Sequence, residues 1–235
     1  MFTIKKHFLD SNILLRSIFP SEEINIFKSY FQEDFNRLIS FRVHTECFNV
    51  IKRLRRISLS FLYHFKKNII KNHNPINAEK TIISIKNNFV KDYENFAYSK
   101  GLNQARFNGI VNDFVKDYYD ELYQDLINNS TLYTDKLIRK TNENYIIYSE
   151  NLVRIIETLN IGKFYNEKEN VSLEESLYGI GIHKADQLIL LDCYYFSMNY
   201  PKLIAFITND REINREKKKI HALLDISVFN PTDYF

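Results

Sequence analysis

The sequence predicts an α/β protein with a central, mostly parallel sheet flanked by helices and a large all-helical insertion. Three observations predict this fold class. Up to about residue 54 the elements follow in the order strand, helix, strand, helix, which is typical of parallel sheets. The middle of the chain shows helical periodicity and no convincing alternating strand pattern. After that stretch the chain returns to helices that alternate with short apolar runs.

The first predicted strand covers residues 6–9 and ends in Asp10. After Pro20, the apolar residues of 24–31 repeat at helical spacing, which predicts a helix. A second strand is predicted at residues 38–43, and residues 44–46 lead from it into another helix that continues to residue 54.

The middle of the chain carries three amphipathic stripes, at residues 82–96, 110–126 and 152–159. Such stripes usually face a core, so packing of helices is their expected role. Residues 160–162 follow the third stripe and are interpreted as a helix stop.

The last sixty residues predict a helix from residue 185 through 196 and a buried strand at 203–208. The strand is a short continuous apolar run, as parallel sheets use. A helix at 211–224 and a final strand at 226–229 follow. The sequence therefore predicts one discontinuous domain, residues 1–54 and 176–235, into which residues 55–175 are inserted.

Composition sets broad limits on the class of protein. Hydrophobic residues make up 45% and charged residues 26%, which is globular rather than disordered. The net charge of +3 is compatible with nucleic acid and excludes little. Cys47 and Cys193 have no metal-binding spacing, and no signal peptide precedes the first strand, so reduced thiols in a cytoplasm are expected. No apolar run approaches the roughly 18 to 20 residues that span a bilayer.

Four carboxylates lie at the ends of predicted elements. Asp10 and Asp210 follow strands, and Glu46 and Asp186 are expected in the first turns of helices. The carboxyl ends of parallel strands share one edge, where ligands bind. Carboxylates that converge there repel each other unless a hard cation is present, so Mg²⁺ or Mn²⁺ is the expected cofactor. A water bound to such an ion can attack a phosphodiester.

Each acid alone also has an ordinary explanation. Asp10 and Asp210 can cap a turn or helix, and Glu46 and Asp186 can be first-turn acids favoured by the helix dipole. Joint placement of all four favours the metal site. Asp192, six positions after Asp186, is expected on the far side of the same helix and is left out. Polar neighbours can orient ligands or water, with local turn hydrogen bonding as the alternative. Ser11, Asn12 and Thr208 are the candidates for orienting ligands, while for Asn209 local turn hydrogen bonding is the favoured role.

Short motifs around the acids resemble those of the PIN domain family. Residues 9–14 (LDSNIL) resemble its opening motif, 43–46 (VHTE) its second acidic position, and 185–190 (ADQLIL) its third motif. Residues 207–213 (ITNDREI) closely resemble its fourth motif, and 228–231 (VFNP) fit its ending. The resemblance covers residues 3–54 and 180–233. It implies metal-dependent cleavage of single-stranded or structured RNA by the cluster Asp10, Glu46, Asp186 and Asp210. The 140 positions between Glu46 and Asp186 are far more than compact toxin-type members have.

A basic run follows Glu46 on the same predicted helix and can contact RNA phosphates, although exposed basic runs are more often solvated faces. Its members are Lys52, Arg53, Arg55 and Arg56.

Three other functions stay open at this stage. The first is a catalytically silent PIN-like module that binds RNA or a protein through the insertion. The second is a toxin restrained by an antitoxin. The third, a phosphatase with Asp10 as nucleophile, would require a second aspartate where Asn12 stands. The insertion can act as a lid, a substrate platform or a dimerisation arm, the last implying a homodimer.

Overall fold

The fold is taken from a computed structural model, which describes residues 6–19, 24–70, 75–102, 119–162, 171–199 and 204–234. The chain forms two compact units. The first comprises Met1–Ile18, Glu22–Asn49 and Asn151–Phe235, and the second comprises Phe19–Ser21 and Val50–Glu150.

Five strands are described, and they form one sheet in which every neighbouring pair is parallel. The order across the sheet is β3-β2-β1-β4-β5. The strands are β1 Lys6–Leu9, β2 Asn36–Ser40, β3 Asn160–Gly162, β4 Ile204–Ile207 and β5 Ser227–Phe229. The predicted α/β class with a central parallel sheet is confirmed.

Helices make up most of the remaining described chain. Those described are α1 Ser11–Ile18, α2 Ile24–Gln32, α3 Phe41–Phe65, α4 Ala78–Ser99, α5 Tyr119–Ile127, α6 Leu132–Glu157, α7 Val171–Gly179, α8 Lys184–Asn199, α9 Arg211–Arg215 and α10 Lys217–Leu224. Short turns of other helix types occupy Lys66–Ile70, Pro75–Asn77 and Pro231–Tyr234.

The centre of the sheet is β1, with β2 and β4 on either side, and β4 is apolar over its whole length. Phe8 pairs with Leu38 of β2 on one side and with Phe206 of β4 on the other. Phe8 and Phe206 are fully buried, and so is every residue of β4. Continuous apolar runs are what a parallel sheet with both faces covered requires. The predicted strand at 203–208 is thus observed at Ile204–Ile207, and residue 203 lies outside the described residues.

The helix α1 is not predicted from the sequence. Ile13, Leu14, Ser17 and Ile18 are buried along it at helical spacing. The apolar pattern is only two turns long and directly follows a strand. The residues after Leu9 are typical of turns, so the sequence does not indicate that a helix begins there. The order at this end is strand, helix, helix, strand, helix. Residues 20–23, where the next helix was expected to begin, lie outside the described residues.

The strand β2 ends earlier than predicted, at Ser40 instead of residue 43. The Ser40 hydroxyl accepts a hydrogen bond from the backbone N of Val43, as a helix N-cap does, and α3 begins at Phe41. The placement of Glu46 in the first turn is therefore wrong, because Glu46 lies in the second turn of α3.

The helix ends before residues 160–162, as expected, but these residues also form a strand, which the sequence does not predict. The helix α6 ends at Glu157, and Asn160–Gly162 then pairs with β2 as strand β3. Three residues are too few to show an alternating pattern. A Cβ on Gly162 would lie 1.5 Å from the Phe196 ring, so the glycine lets the strand approach that ring closely.

The predicted helix at 211–224 is divided into α9 and α10 at Glu216. The Glu216 carboxylate forms ion pairs with Arg215 and Lys219, which lie on either side of the break. The final predicted strand is observed as β5.

The second unit is a set of packed helices. Ile85, Phe89 and Tyr93 of the first predicted stripe are buried in α4, which packs against α5. Of the second stripe, residues 110–118 lie outside the described residues, and Leu122 and Leu126 are buried. The buried hydroxyls of Tyr93 and Tyr145 each lie 2.9 Å from Ser58 Oγ, and burial raises the pKa of both tyrosines.

Asp125 joins α5 to the start of α6. It is fully buried, and its two oxygens accept from the backbone N of Tyr133 and Thr134 and from the hydroxyls of Ser130 and Thr134. Hydrogen bonds to a charged group are among the stronger ones, and this group caps a helix N-terminus.

We therefore expect Asp125→Ala to lower the free energy of unfolding by about 2 kcal/mol. The measurement is urea unfolding followed by circular dichroism. Asp120→Ala is the matched control, because Asp120 is exposed on the same helix. Equal midpoints for the two variants would contradict the capping role.

None of the helices within the described ranges is long and apolar enough to cross a membrane.

Candidate acidic site at the carboxyl edge of the sheet

The strand order places a reversal between β1 and β4. From β1 the chain adds β2 and then β3 on one side, and β4 and β5 are added on the other. In open α/β sheets, ligands bind beyond the carboxyl ends of the strands at such a reversal. Asp10 directly follows β1 and Thr208 directly follows β4, and the backbone N of Asp10 donates to Ile207 O at 3.0 Å.

Asp10 is 3% exposed and lies in a dense set of hydrogen bonds. Its Oδ1 accepts from the backbone N of Ser11 at 2.6 Å and lies 3.4 Å from the Ser11 hydroxyl. Its Oδ2 accepts from Asn12 Nδ2 at 2.6 Å and from the Thr208 hydroxyl at 2.7 Å. The three polar residues that the sequence placed around the acids thus all contact Asp10, and they fix the orientation of its carboxylate.

The pKa of Asp10 depends on burial, on its hydrogen bonds and on two neighbouring carboxylates. The pKa of Asp10 is raised from its ordinary value of 3.8 to about 7, first of all by burial. The hydrogen bond from Thr208 opposes this rise. Repulsion from Asp186 and then from Glu46 adds to it, and the Ser11 backbone hydrogen bond lowers the pKa slightly. Asp10, Glu46 and Asp186 therefore lie close enough together for their charges to interact.

Glu46 and Asp186 approach Asp10 from two helices. Both side chains are partly exposed. Asp186 lies in the first turn of α8, as predicted, where the helix dipole favours a carboxylate. Cys47, next to Glu46, is buried with its Sγ 3.7 Å from Ser11 O. Burial, then Glu46 and Asp10, raise the pKa of this thiol, which makes it a packing residue rather than a nucleophile.

Asp210 joins the cluster indirectly. Its backbone N donates to the Thr208 hydroxyl, which in turn donates to Asp10. Its Oδ1 accepts from the backbone N of Glu212 and Ile213, so Asp210 caps α9. The capping that the sequence allowed for Asp210 is thus present. A carboxylate that caps a helix through one oxygen retains lone pairs for a further ligand.

The four acids can hold a divalent cation only if water completes its coordination. In the described parts of the chain, no three His, Cys, Asp or Glu side chains are close enough together to hold one ion. The acids offer only oxygen ligands, however, and Mg²⁺ is commonly bound by one or two carboxylates with water and substrate phosphate. The cluster therefore fits an ion that is held partly through water, and it does not form a closed cage of protein ligands.

The basic run on α3 belongs to the second unit. Its four side chains are all exposed. Arg53 Nη2 donates to the carbonyl oxygens of Lys100 and Gly101, just beyond the end of α4. Arg55 Nε donates to Asn142 Oδ1. These two guanidinium groups thus already hold helices of their own unit together.

Two further features near the acids are not predicted from the sequence. Asp192 is fully buried on α8, and its Oδ2 lies 3.5 Å from Arg42 Nε of α3. Arg16 of α1 contacts the side chain of Asn209, whose backbone N donates to Asn12. A signal for Arg16 existed, because it follows Asn12 by four positions and shares its helical face, but it requires α1 to be recognised first.

Comparison of the chain with protein-family models, with curated proteins and with solved structures finds no match. These comparisons assign no family. The fold and the geometry at the carboxyl edge are therefore the basis for a functional proposal.

Proposed function

We propose that the chain is a PIN-type, metal-dependent endoribonuclease that hydrolyses RNA phosphodiester bonds with Asp10, Glu46, Asp186 and Asp210. The proposal rests above all on the state of Asp10. A carboxyl that is buried at the sheet reversal and repelled by Glu46 and Asp186 has a pKa of about 7. A divalent cation relieves this repulsion, so binding of such an ion lowers the electrostatic free energy of the clustered carboxylates.

The chain's own residues take distinct parts in this proposal. Asp10 is the central ligand, and Ser11, Asn12 and Thr208 hold its oxygens in place. Asp210 is the second direct ligand, while Glu46 and Asp186 bind directly or through water, and one of them helps to accept a proton. When bound, Mg²⁺ or Mn²⁺ supplies charge neutralisation at the phosphate and activation of water.

Cleavage of single-stranded and structured RNAs tests the proposal. We expect cutting with Mn²⁺ or Mg²⁺, none in EDTA, and none by an Asp10→Ala, Asp210→Ala double variant. Asp34→Ala is the matched control, since Asp34 is an exposed aspartate of the first unit. Absence of cutting by folded wild-type protein, with no rise in melting temperature on adding Mn²⁺, would overturn the proposal.

A second candidate is a catalytically silent module of the same type that binds RNA or a protein. Two observations favour it: no closed metal cage is formed among the described residues, and the Asp210 carboxylate caps α9. The same assay separates the two, because the silent module neither cuts RNA nor responds to Mn²⁺.

A further inference from the structure

Beside the acids, the carboxyl edge continues as a group of amides and one guanidinium. Asn209 follows β4, and Asn230 follows β5. With its oxygen turned toward α1, the Asn209 amide accepts from Arg16 Nε and Nη1, both at 3.1 Å. Turned the other way, the same oxygen accepts from Asn230 Nδ2 at 2.7 Å instead, so the Asn209 oxygen pairs either with Arg16 or with Asn230. The group therefore extends from α1 along the edge toward β5.

The guanidinium of Arg16 is held in place from two directions. Asn12 and Arg16 lie one turn apart on α1, and both contact Asn209. The Asn12 side-chain oxygen accepts from the backbone N of Asn209, and the Arg16 guanidinium donates to the Asn209 side chain. The Cζ atom of Arg16 also lies 5.8 Å from the centre of the Phe27 ring. Arg16 nevertheless remains exposed. A fixed, exposed guanidinium is well suited to a phosphate, since its fork of donors is preorganised.

At the negatively charged edge, RNA binding is favoured only where a positive group lies beside the acids. Asp10, Glu46, Asp186 and Asp210 all repel an RNA strand. Arg16 follows Asn12 by one helical turn, and Asn12 donates to Asp10. Arg16 can thus offer a positive charge to the RNA strand next to the site of cutting.

We propose that Arg16, with Asn209 and Asn230, binds a backbone phosphate of single-stranded RNA adjacent to the phosphate being cut. This inference rests on the proposed function for its substrate. One nearby charge opposes it: Asp233 Oδ2 accepts from the backbone N of Asn230 at 2.9 Å. The contribution of Arg16 is therefore expected to be moderate.

Binding of a short, fluorescently labelled single-stranded RNA in EDTA tests the inference by anisotropy at several salt concentrations. We expect Arg16→Gln to weaken binding about tenfold and to reduce the slope of log affinity against log salt by about one. Arg16→Lys keeps the charge and should restore most of the slope. Arg154→Gln is the matched control, because Arg154 is an exposed arginine of the same unit.

Equal affinities and slopes for Arg16→Gln and Arg154→Gln would overturn the inference. An effect that appears only as a lower melting temperature, with an unchanged salt slope, would overturn it too and would make Arg16 a tether of the Asn209 loop. The cleavage assay separates this result from failure of the nuclease. If Arg16→Gln still cuts RNA and binds it with unchanged affinity, only the phosphate site is contradicted. If RNA binds without metal-dependent cutting, only the nuclease proposal is contradicted.

Discussion

Asp10→Asn is expected to reduce metal-dependent RNA cleavage by about 10³-fold. The substitution removes the buried charge to which both Asn12 and Thr208 donate, and with it the central ligand of the proposed ion. A catalytic ion contributes several kcal/mol to stabilising the transition state, which corresponds to a rate effect of about this size.

The same substitution is expected to change how stability depends on pH. The folded-state pKa of Asp10, about 7, lies above its ordinary value of 3.8, so the folded protein holds this proton more tightly than the unfolded chain. The stability linked to the proton is fully present below about pH 4 and is lost as the pH rises through about 7. Across that window wild type should lose up to about 4 kcal/mol relative to Asp10→Asn.

Urea unfolding of wild type and Asp10→Asn from about pH 4 to about pH 8 measures this difference directly. Titrating groups distant from Asp10 cancel, because both proteins contain them, whereas Glu46 and Asp186 interact with Asp10 and contribute to the same difference. Asp34→Asn is the control and should follow wild type, since Asp34 is exposed. Mn²⁺ should also raise the melting temperature of wild type at high pH and have little effect on Asp10→Asn. A constant difference between the two proteins at every pH would contradict the raised pKa.

Arg42→Met is expected to lower the free energy of unfolding by about 3 kcal/mol or more. The reason is that Asp192 is fully buried and its carboxylate lies 3.5 Å from Arg42 Nε. Losing the guanidinium removes this cation from beside a buried negative charge. The converse variant, Asp192→Asn, should cost less, because the Arg42 side chain is 25% exposed and water can solvate its charge.

A double-mutant cycle with Arg42→Met and Asp192→Leu, followed by urea unfolding, measures the coupling between the two residues. The double variant should recover much of the stability that Arg42→Met loses, because an apolar pair can replace a buried ion pair. Additive losses would show that the pair is not coupled. The pair joins α3 to α8, and these helices carry Glu46 and Asp186, so RNA cleavage by the double variant also reports whether the two acids stay in place.

The sequence predicts the parts of the fold that have strong and uninterrupted patterns. The apolar run of β4, the helical repeat of α4 and the placement of Asp186 in the first turn of α8 could all be predicted, because each depends on local chemistry. Asp10 could be placed at a strand end for the same reason. Its contacts with Ser11, Asn12 and Thr208 agree with the expectation that polar neighbours orient it.

What the sequence does not predict depends on contacts between distant residues. The strand β3 exists because β2 offers hydrogen bonds to residues 160–162, and nothing in three residues indicates that partner. Glu46 moved to the second turn because the Ser40 hydroxyl starts α3 early. The contact of Asp192 with Arg42 is not predicted either, since the sequence does not show that these two residues meet.

The pairing of β1 with β4 also has a consequence for the order of assembly during translation. The Asp10 carboxylate and the Thr208 hydroxyl are separated by 198 positions in the chain. Contacts of such long range form slowly, because a long loop must close before they can contribute stability. A nascent chain that has emerged only as far as β3 contains Asp10 and Glu46, still lacks Asp186 and Asp210, and leaves the β4 side of β1 unpaired. The acidic edge is therefore completed only after residue 210 has been made, and an incomplete chain would expose a strand edge that is prone to aggregation.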